Sequence, residues 1–302
     1  MSRAEPTAEA ERVTLDAPFL RVLGLESAEA VPDGLRLRLP HRADNANRNG
    51  TLHGGVIASL VETAGALALE RPAVGGSAPA WRRPAAVDLS IHFVAPAIAC
   101  DVEAEARIVR RGRSVGFAEV AVADADGSPI ARGLLAARPV STLSSPLGAG
   151  ETEHDGAGLP ASHREALERL SFSRFSGSAF SARLQVRSAR IPGAGVVALL
   201  PWQELLADEF GQVHAGAIAT LVDAAGGASA WTAGGFDPRG RASTIAMHLT
   251  VARAPAGADL VAIAEAPWRT GDLFSIAVEV ATRDRAEPVA RGSVVYRVVR
   301  PS

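Results

Sequence analysis

The amino-acid sequence contains one pattern twice. The segment TLHGGVIASLVETAGALA, beginning at Thr51, aligns without a gap with QVHAGAIATLVDAAGGAS, which begins 161 residues later at Gln212. A second pair, PIARGLLAARPV from Pro129 and PVARGSVVYRVV from Pro288, matches at an interval of 159 residues. Such an interval has the size of a whole domain and is far longer than a solenoid repeat. The 302 residues are therefore predicted to contain two copies of one domain.

Each copy has the pattern of an α+β domain. In GLRLRLP, leucines alternate with arginines as on a half-buried strand, and a long apolar run follows. After that run, the segments AVDLSIHFV, DVEAEARIV, GFAEVAVAD and IARGLLAARPV alternate again, with turn signals at RRGR and DADGSP between them. If the long apolar run forms a helix, nearly all sides of that helix are apolar, which indicates that it is buried on every side. We therefore predict a curved, mostly antiparallel sheet wrapped around one long apolar helix in each copy.

Composition shifts divide the chain. We predict a flexible N-terminal tail over residues 1–16, a first domain over 17–140 and a second domain over 161–302. Residues 141–160 between them are rich in Gly, Ser and Pro, which is typical of a linker.

Charge and cysteine content exclude several classes of protein. The formal net charge is −2 with acids and bases interspersed, unlike the clustered basic face of a nucleic-acid-binding protein. Cys100 is the only cysteine, so neither an intrachain disulfide nor a cysteine zinc site can form, and no metal-ligand spacing is visible. The longest apolar run, Val56 to Leu69, is too short to span a bilayer. The N-terminus also lacks the pattern of a targeting peptide. These features predict a soluble, cytoplasmic protein without nucleic-acid or membrane partners.

Each apolar helix contains one acid, Glu62 in the first copy and Asp223 in the second. A buried, unpaired carboxylate is costly, so each needs a partner or a function. His53 cannot be the partner of Glu62, because nine residues place the two on opposite sides of one helix, about 13 Å apart along its axis. If the two helices lie antiparallel, the glycine-rich start of one can face the acid of the other.

This spacing predicts composite sites, with Gly54 and Gly55 facing Asp223 and Gly216 facing Glu62. Glycines at a helix start expose N–H groups that have no intrahelical partner, and the helix dipole favours negative charge there. Such a turn can stabilise the oxyanion of a carbonyl under attack. A carboxylate opposite it could attack that carbonyl or activate a water. The predicted reaction class is acyl transfer to water.

These motifs resemble those of hotdog-fold acyl-CoA thioesterases of the phenylacetate-pathway type. That family has an Asn, then a Gly-x-x-His-Gly-Gly turn, then Asp or Glu nine residues after the His. The matching residues in the first copy are Asn47, Gly50, His53, Gly54, Gly55 and Glu62, and those in the second are Gly211, His214, Gly216 and Asp223. The resemblance implies a tandem double-hotdog chain that mimics the family's dimer, and it allows a homodimer of such chains.

The resemblance also implies roles for the site residues. The acid would be the nucleophile or general base, and the N–H after the His, of Gly54 or Ala215, would polarise the thioester carbonyl. His53 and His214 would orient the turn, and Asn47 would position water or the thioester. The substrate would be an acyl-CoA, with coenzyme A part of the substrate and no separate cofactor.

The second copy departs from the family pattern. Asp208 stands in place of the Asn, and Ala215 in place of the first Gly of the pair. An additional carboxylate near a developing oxyanion is unfavourable. We therefore expect the site that combines the first copy's turn with Asp223 to be the main one, and the site that contains Glu62 to come second.

Two other functions are compatible with the motifs: an acyl-thioester hydratase or dehydratase, if His53 points into the site, and a non-catalytic acyl-CoA binding module. Four arginines are candidates for binding the phosphates of coenzyme A, namely Arg82, Arg83, Arg110 and Arg111. GRSVG, Gly112 to Gly116, has the spacing of a nucleophile elbow, but an alternating strand follows it where an elbow needs a helix. We predict a hairpin turn there.

Overall fold

The structure is a computed structural model that describes residues 15–25, 27–32, 34–71, 81, 84–139, 161–170, 178–235, 240–284 and 287–299. The expected linker, 141–160, lies outside the described residues, as does most of the expected N-terminal tail. The domain boundaries drawn from the sequence therefore stay predictions.

The first copy begins with a short helix, which is followed by two strands, a long helix and four more strands. Its elements are α1 (Pro18–Leu23), β1 (Ser27–Val31), β2 (Gly34–Leu39), α2 (Gly54–Glu70), β3 (Pro84–Phe93), β4 (Val102–Arg111), β5 (Gly116–Asp124) and β6 (Pro129–Pro139). In β2 the leucines at 35, 37 and 39 are buried while the arginines between them are not, as the alternation predicts. GRSVG forms the turn between β4 and β5, closed by a 2.9 Å hydrogen bond from the N–H of Gly112 to the carbonyl of Val115.

The second copy repeats this order, with one further helix ahead of it and one further short strand after its long helix. Its elements are α3 (Ala161–Leu170), α4 (Ala179–Arg183), β7 (Arg187–Ile191), β8 (Gly195–Leu200), α5 (Ala215–Gly234), β9 (Arg241–Val251), β10 (Leu260–Glu265), β11 (Trp268–Thr270), β12 (Leu273–Thr282) and β13 (Pro288–Val299). The predicted α+β architecture is therefore present in both halves.

The two copies share one antiparallel sheet. Its strand order is β1-β2-β4-β5-β6-β3-β9-β13-β12-β10-β8-β7, and β11 pairs with β12. The copies join where β3 pairs with β9, in a register in which Ser90 lies opposite His248 and Asp88 opposite Thr250. This pairing lies at the centre of the sheet and relates the two halves by an approximate twofold axis.

The two long helices cross antiparallel at small residues. A Cβ added at Gly55 would lie 2.7 Å from the Cα of Thr220, and one added at Gly216 would lie 2.7 Å from the hydroxyl of Ser59. The Ser59 hydroxyl donates to the carbonyls of Gly55 and Gly216, at 2.7 and 2.9 Å. This close crossing brings the start of each helix beside the middle of the other, where the acids lie.

Candidate functional site

A histidine caps the start of each long helix. Nδ1 of His53 accepts the N–H of Gly55 at 3.0 Å, and Nδ1 of His214 accepts the N–H of Gly216 at the same distance. An Nδ1 that accepts a hydrogen bond carries no proton, so the ring of His214 is neutral with its proton on Nε2. The N–H of Gly55 is shared between Nδ1 of His53 and Oδ2 of Asp223. Burial lowers the pKa of both rings, that of His214 to about 4, while the nearby Asp223 partly offsets the effect of burial on His53.

Asp223, a residue of α5, lies beside the start of the opposite helix, α2. Both of its carboxylate oxygens accept hydrogen bonds. The N–H of Gly55 donates to Oδ2 at 2.9 Å, and the hydroxyl of Thr244 donates to Oδ1 at 2.6 Å. Nδ1 of His53 is 3.2 Å from Oδ2. The residue is only 5% exposed, and its carboxylate is held in one position by one donor from a helix and one from a strand.

Gly54 combines a free donor with the closest approach to Asp223. Among the described residues, no acceptor takes the N–H of Gly54, the first residue of α2. A Cβ at this position would lie 2.8 Å from Oδ2 of Asp223, so the contact requires glycine here. An unpaired N–H and a carboxylate thus lie side by side at a positive helix end.

Glu62 lies in the equivalent place beside the start of α5, but it is held differently. Its Oε2 is buried and accepts no hydrogen bond from the part of the chain that the structure describes. The nearest ring atom, Nδ1 of His214, is 3.6 Å away and already accepts the N–H of Gly216. Burial raises the pKa of Glu62 to about 8, with further contributions from the negative charges of Glu209 and Asp208.

A cleft of about 1020 Å³ opens at Glu62. Its walls include Glu62, His214 and Ala215, whose N–H, like that of Gly54, meets no acceptor among the described residues. Asp223 is not among the residues that line it. The sequence predicts that the Asp223 site is the main one, whereas the large cleft lies at the Glu62 site.

Substitutions at two paired positions explain the difference. Thr244 on β9 pairs with Tyr296 on β13, and at the equivalent place in the first copy Ala86 on β3 pairs with Ala137 on β6. The Asp223 side therefore has a hydroxyl donor and a large ring where the Glu62 side has two methyl groups. Burial raises the pKa of the Tyr296 phenol, and the negative charge of the nearby Asp223 adds to this effect.

Asn47 and Asp208 play matching parts in the two turns that precede the helices. Oδ1 of Asn47 accepts the hydroxyl of Thr51 at 2.7 Å, and Oδ1 of Asp208 accepts the N–H of Gln212 at 2.9 Å. Both side chains therefore shape the glycine-containing turn. The expected role of Asn47 in positioning water or the thioester stays a prediction.

The four arginines considered for coenzyme A are spread over different settings. Arg82 and Arg83 lie outside the described residues, and Arg110 is exposed on β4. Arg111 is half-buried and donates to the carbonyl of Ala68 at 3.1 Å. Their proposed contact with phosphates stays a prediction.

Sequence reasoning missed two residues that contact the first site. Thr244 binds Asp223 directly, and Ser181 on α4 places its hydroxyl 3.3 Å from Nε2 of His53. Neither residue belongs to a recognisable motif. Thr244 reaches the site because of the register of its strand, and Ser181 because its helix packs against the turn.

Two further observations concern the part of the chain that the structure describes. No group of three or more His, Cys, Asp or Glu side chains there is placed to hold a metal ion. None of the described helices is long and apolar enough to cross a membrane.

Comparison with known proteins finds a matching family model and similar proteins. Residues 49–131 match the family model of the thioesterase superfamily. A protein described as an esterase in Halobacterium salinarum is 35% identical over 127 residues, which are 39% of this chain and 82% of that protein. Acyl-coenzyme A thioesterase 13 of Homo sapiens is 32% identical over 121 residues, 38% of this chain and 80% of that protein.

Solved structures show the same fold over nearly the whole chain. The tesB protein of Mycobacterium avium subs paratuberculosis has a TM-score of 0.62 at 15% identity, covering 93% of this chain and 98% of its own. A protein with a hot dog fold from Alicyclobacillus acidocaldarius has a TM-score of 0.61 at 16% identity, covering 95% and 100%. The chain therefore consists of hotdog domains, as the sequence motifs predicted.

Proposed function

The chain belongs to the thioesterase superfamily, and from that premise we propose that it hydrolyses an acyl-CoA thioester to a free acid and coenzyme A. We place the reaction at the composite site of Gly54, His53 and Asp223. The relatives named as acyl-CoA thioesterases support the substrate class. The acyl group itself is left open.

The observation that carries the proposal is the contact between Gly54 and Asp223. A free N–H at a helix start lies beside a carboxylate that both Gly55 and Thr244 hold in place. A thioester carbonyl that accepts the N–H of Gly54 would place its carbon within reach of Asp223. The helix dipole would then stabilise the oxyanion that develops on attack.

The reaction balances with water as the only co-reactant. Either Asp223 takes a proton from a water that attacks the carbonyl, or it attacks the carbonyl itself and water cleaves the resulting anhydride. In both routes the carbon–sulfur bond breaks, the thiolate of coenzyme A leaves and takes up a proton, and the acid is released. Thr244 fixes the orientation of the carboxylate throughout.

The Glu62 cleft is less suited to the same reaction, although it is larger. A carboxyl with a pKa of about 8 is mostly protonated at neutral pH and cannot act as base or nucleophile in that form. Asp208 and Glu209 add negative charge where an oxyanion would have to develop. The same acids repel the phosphates of coenzyme A.

The geometry of His53 bears on the hydratase alternative. Its Nδ1 accepts the N–H of Gly55, and its Nε2 lies against Ser181. Since a general acid needs a proton aimed at the substrate, a ring that caps the helix in this way favours hydrolysis over hydration.

Free-thiol release from short, medium, long and aryl acyl-CoA esters, with an enoyl-CoA included, tests the proposal. Asp223→Asn should lower kcat by about a hundredfold or more, the usual range for loss of a general base or nucleophile. Hydration of the enoyl ester without thiol release would contradict it, and so would binding of every ester without turnover. Label found in Asp223 after a single turnover in ¹⁸O-labelled water would establish the anhydride route, because only attack of water on the Asp223 carboxyl carbon of the anhydride places it there.

Pairing of two chains, which the resemblance allows, is a further proposal. Sedimentation equilibrium measures it directly, with a mass of twice 31.2 kDa expected.

A further inference from the structure

The Glu62 cleft shows how much room this fold can leave beside an acid of this kind. From the start of α5 the cleft passes Glu62 and continues along α2 as far as Glu70. Eight residues separate the two, which is about 12 Å along a helix. The wall of this branch includes the small side chains of Ala66 on α2 and Ala86 on β3. A chain that begins at Glu62 therefore has room to extend for roughly two helical turns.

The repeat assigns a counterpart on the Asp223 side to this branch. Gly227 and Trp231 of α5 correspond to Ala66 and Glu70 of α2, at the same interval as the two acids. Because the two halves are related by an approximate twofold axis, the equivalent branch runs along α5 from Asp223 towards Trp231.

The ring of Tyr296 lies across this equivalent branch. A Cβ added at Gly227 would lie 3.3 Å from Cε2 of Tyr296 and 3.4 Å from its hydroxyl oxygen, so the ring packs directly on α5. Tyr296 also pairs with Thr244 on the neighbouring strand, and Thr244 donates to Asp223. The ring therefore reaches from the sheet to the helix at a point one turn beyond Asp223, about 6 Å along the axis.

A hydrogen bond holds the Tyr296 ring in this position. The side chain of Trp231 is hydrogen-bonded to that of Tyr296, and because an indole can only donate, its N–H meets the phenol oxygen. Trp231 follows Gly227 by four residues, so the two lie on the same face of α5. Both aromatic side chains are half-buried and pack against the core. They form a fixed aromatic wall where the Glu62 side has an open branch.

We propose that Tyr296 determines the acyl-chain specificity of the Asp223 site and restricts it to short acyl groups. This inference rests on the thioesterase activity proposed above. A butyryl group has three carbon–carbon bonds of about 1.5 Å each, roughly 4.5 Å in all, and fits in the space of about 6 Å before the ring. An octanoyl group has seven such bonds, roughly 10 Å in all, and collides with the ring.

Thiol release from acetyl-, butyryl-, hexanoyl- and octanoyl-CoA by the full chain tests this inference. For the wild type we expect kcat/KM to be about tenfold or more lower for octanoyl-CoA than for butyryl-CoA. Tyr296→Ala should raise kcat/KM for octanoyl-CoA about tenfold or more and leave that for butyryl-CoA within about threefold.

Three further variants show whether the size of the ring is responsible. Tyr296→Phe keeps the ring and removes the hydroxyl, so it should retain the wild-type preference for butyryl-CoA. Ala86→Leu narrows the Glu62 cleft instead and should leave the ratio between the two esters unchanged. If Tyr296→Ala fails to fold, Tyr296→Leu leaves a smaller cavity and should shift the ratio in the same direction.

Binding of thioether analogues separates a failure of this inference from a failure of the proposed activity, because it needs no hydrolysis. Isothermal titration should show tighter binding of S-butyl-CoA than of S-octyl-CoA to the wild type. Tyr296→Ala should gain about tenfold or more in affinity for S-octyl-CoA. The same binding results without thiol release from any ester would reject the hydrolysis and keep the restriction on chain length.

Four results would overturn the inference. Equal kcat/KM for butyryl- and octanoyl-CoA in the wild type would show that the ring does not limit the chain. Turnover of octanoyl-CoA that Ala86→Leu abolishes and Tyr296→Ala leaves unchanged would place the acyl group in the Glu62 cleft. Equal shifts in Tyr296→Phe and Tyr296→Ala would assign the effect to the hydroxyl instead of the ring. Unchanged affinity of Tyr296→Ala for S-octyl-CoA would reject Tyr296 as the wall of the acyl site.

Discussion

Glu62 makes the stability of this protein depend on pH in a calculable way. Its pKa is raised from 4.5 to about 8 in the fold, because burial disfavours the charged form. The folded state therefore retains a proton that the unfolded chain loses. For a carboxyl with a raised pKa, stability falls as the pH rises above 4.5 and levels off above 8.

The magnitude follows from the same two values. Each pH unit between them costs about 1.4 kcal/mol, so at pH 7 the penalty is on the order of 3 kcal/mol. Replacement of Glu62 by Gln keeps the shape and the neutral state and removes the penalty. Glu62→Gln should therefore be more stable than the wild type at pH 7, and the gain should vanish near pH 4.

Urea unfolding monitored by circular dichroism from pH 4 to 9 measures this difference. Glu103→Gln, at an exposed position on β4, is the matched control and should follow the wild-type curve. Parallel curves for wild type and Glu62→Gln over the whole range would refute the reasoning, because Glu62 would then not be held neutral by the fold.

Three further substitutions address the Asp223 site and the helix crossing. Gly54→Ala should lower kcat at least tenfold with little change in melting temperature, because its Cβ would lie 2.8 Å from Oδ2 of Asp223 and displace the carboxylate. Gly55→Ala should instead lower the free energy of unfolding by about 2 kcal/mol, as overpacking does, since its Cβ would lie 2.7 Å from the Cα of Thr220. Thr244→Val removes the 2.6 Å hydrogen bond to Asp223 and should reduce kcat about tenfold while KM stays within twofold, as measured by thiol release.

Much of the fold follows from patterns that are local in the sequence. The alternation of Leu35, Leu37 and Leu39 can be recognised from the period of a strand alone. The two buried helices can be recognised because their residues are almost all apolar. The repeat then supplies the second half of the architecture. Helical geometry also indicates that His53 and Glu62 cannot meet, and that the start of one helix can face the other helix's acid if the two helices lie antiparallel.

The parts of the site that the sequence did not predict depend on contacts between segments that are distant along the chain. Thr244 reaches Asp223 only because β9 lies against α5 in one particular register, and Ser181 reaches His53 only because α4 docks on the turn. A serine or threonine in an alternating strand is too common to signal such a role. The cleft at Glu62 is lined in part by the small side chain of Ala86, which pairs with Ala137 and is unremarkable when read along the chain.

The two acids also show where motif matching is insufficient. Glu62 and Asp223 occupy equivalent positions, yet Oε2 of Glu62 meets no donor among the described residues, whereas both oxygens of Asp223 accept a hydrogen bond. Their different surroundings, rather than the motif, distinguish the two carboxyl groups.

The most direct test of the central claim is kcat/KM for thiol release by wild type, Asp223→Asn and Glu62→Gln, measured side by side at pH 7 on the best acyl-CoA ester. The Asp223 assignment predicts a loss of about a hundredfold or more in Asp223→Asn and near-wild-type turnover in Glu62→Gln. Loss in Glu62→Gln with activity retained in Asp223→Asn would contradict it and place the reaction in the large cleft.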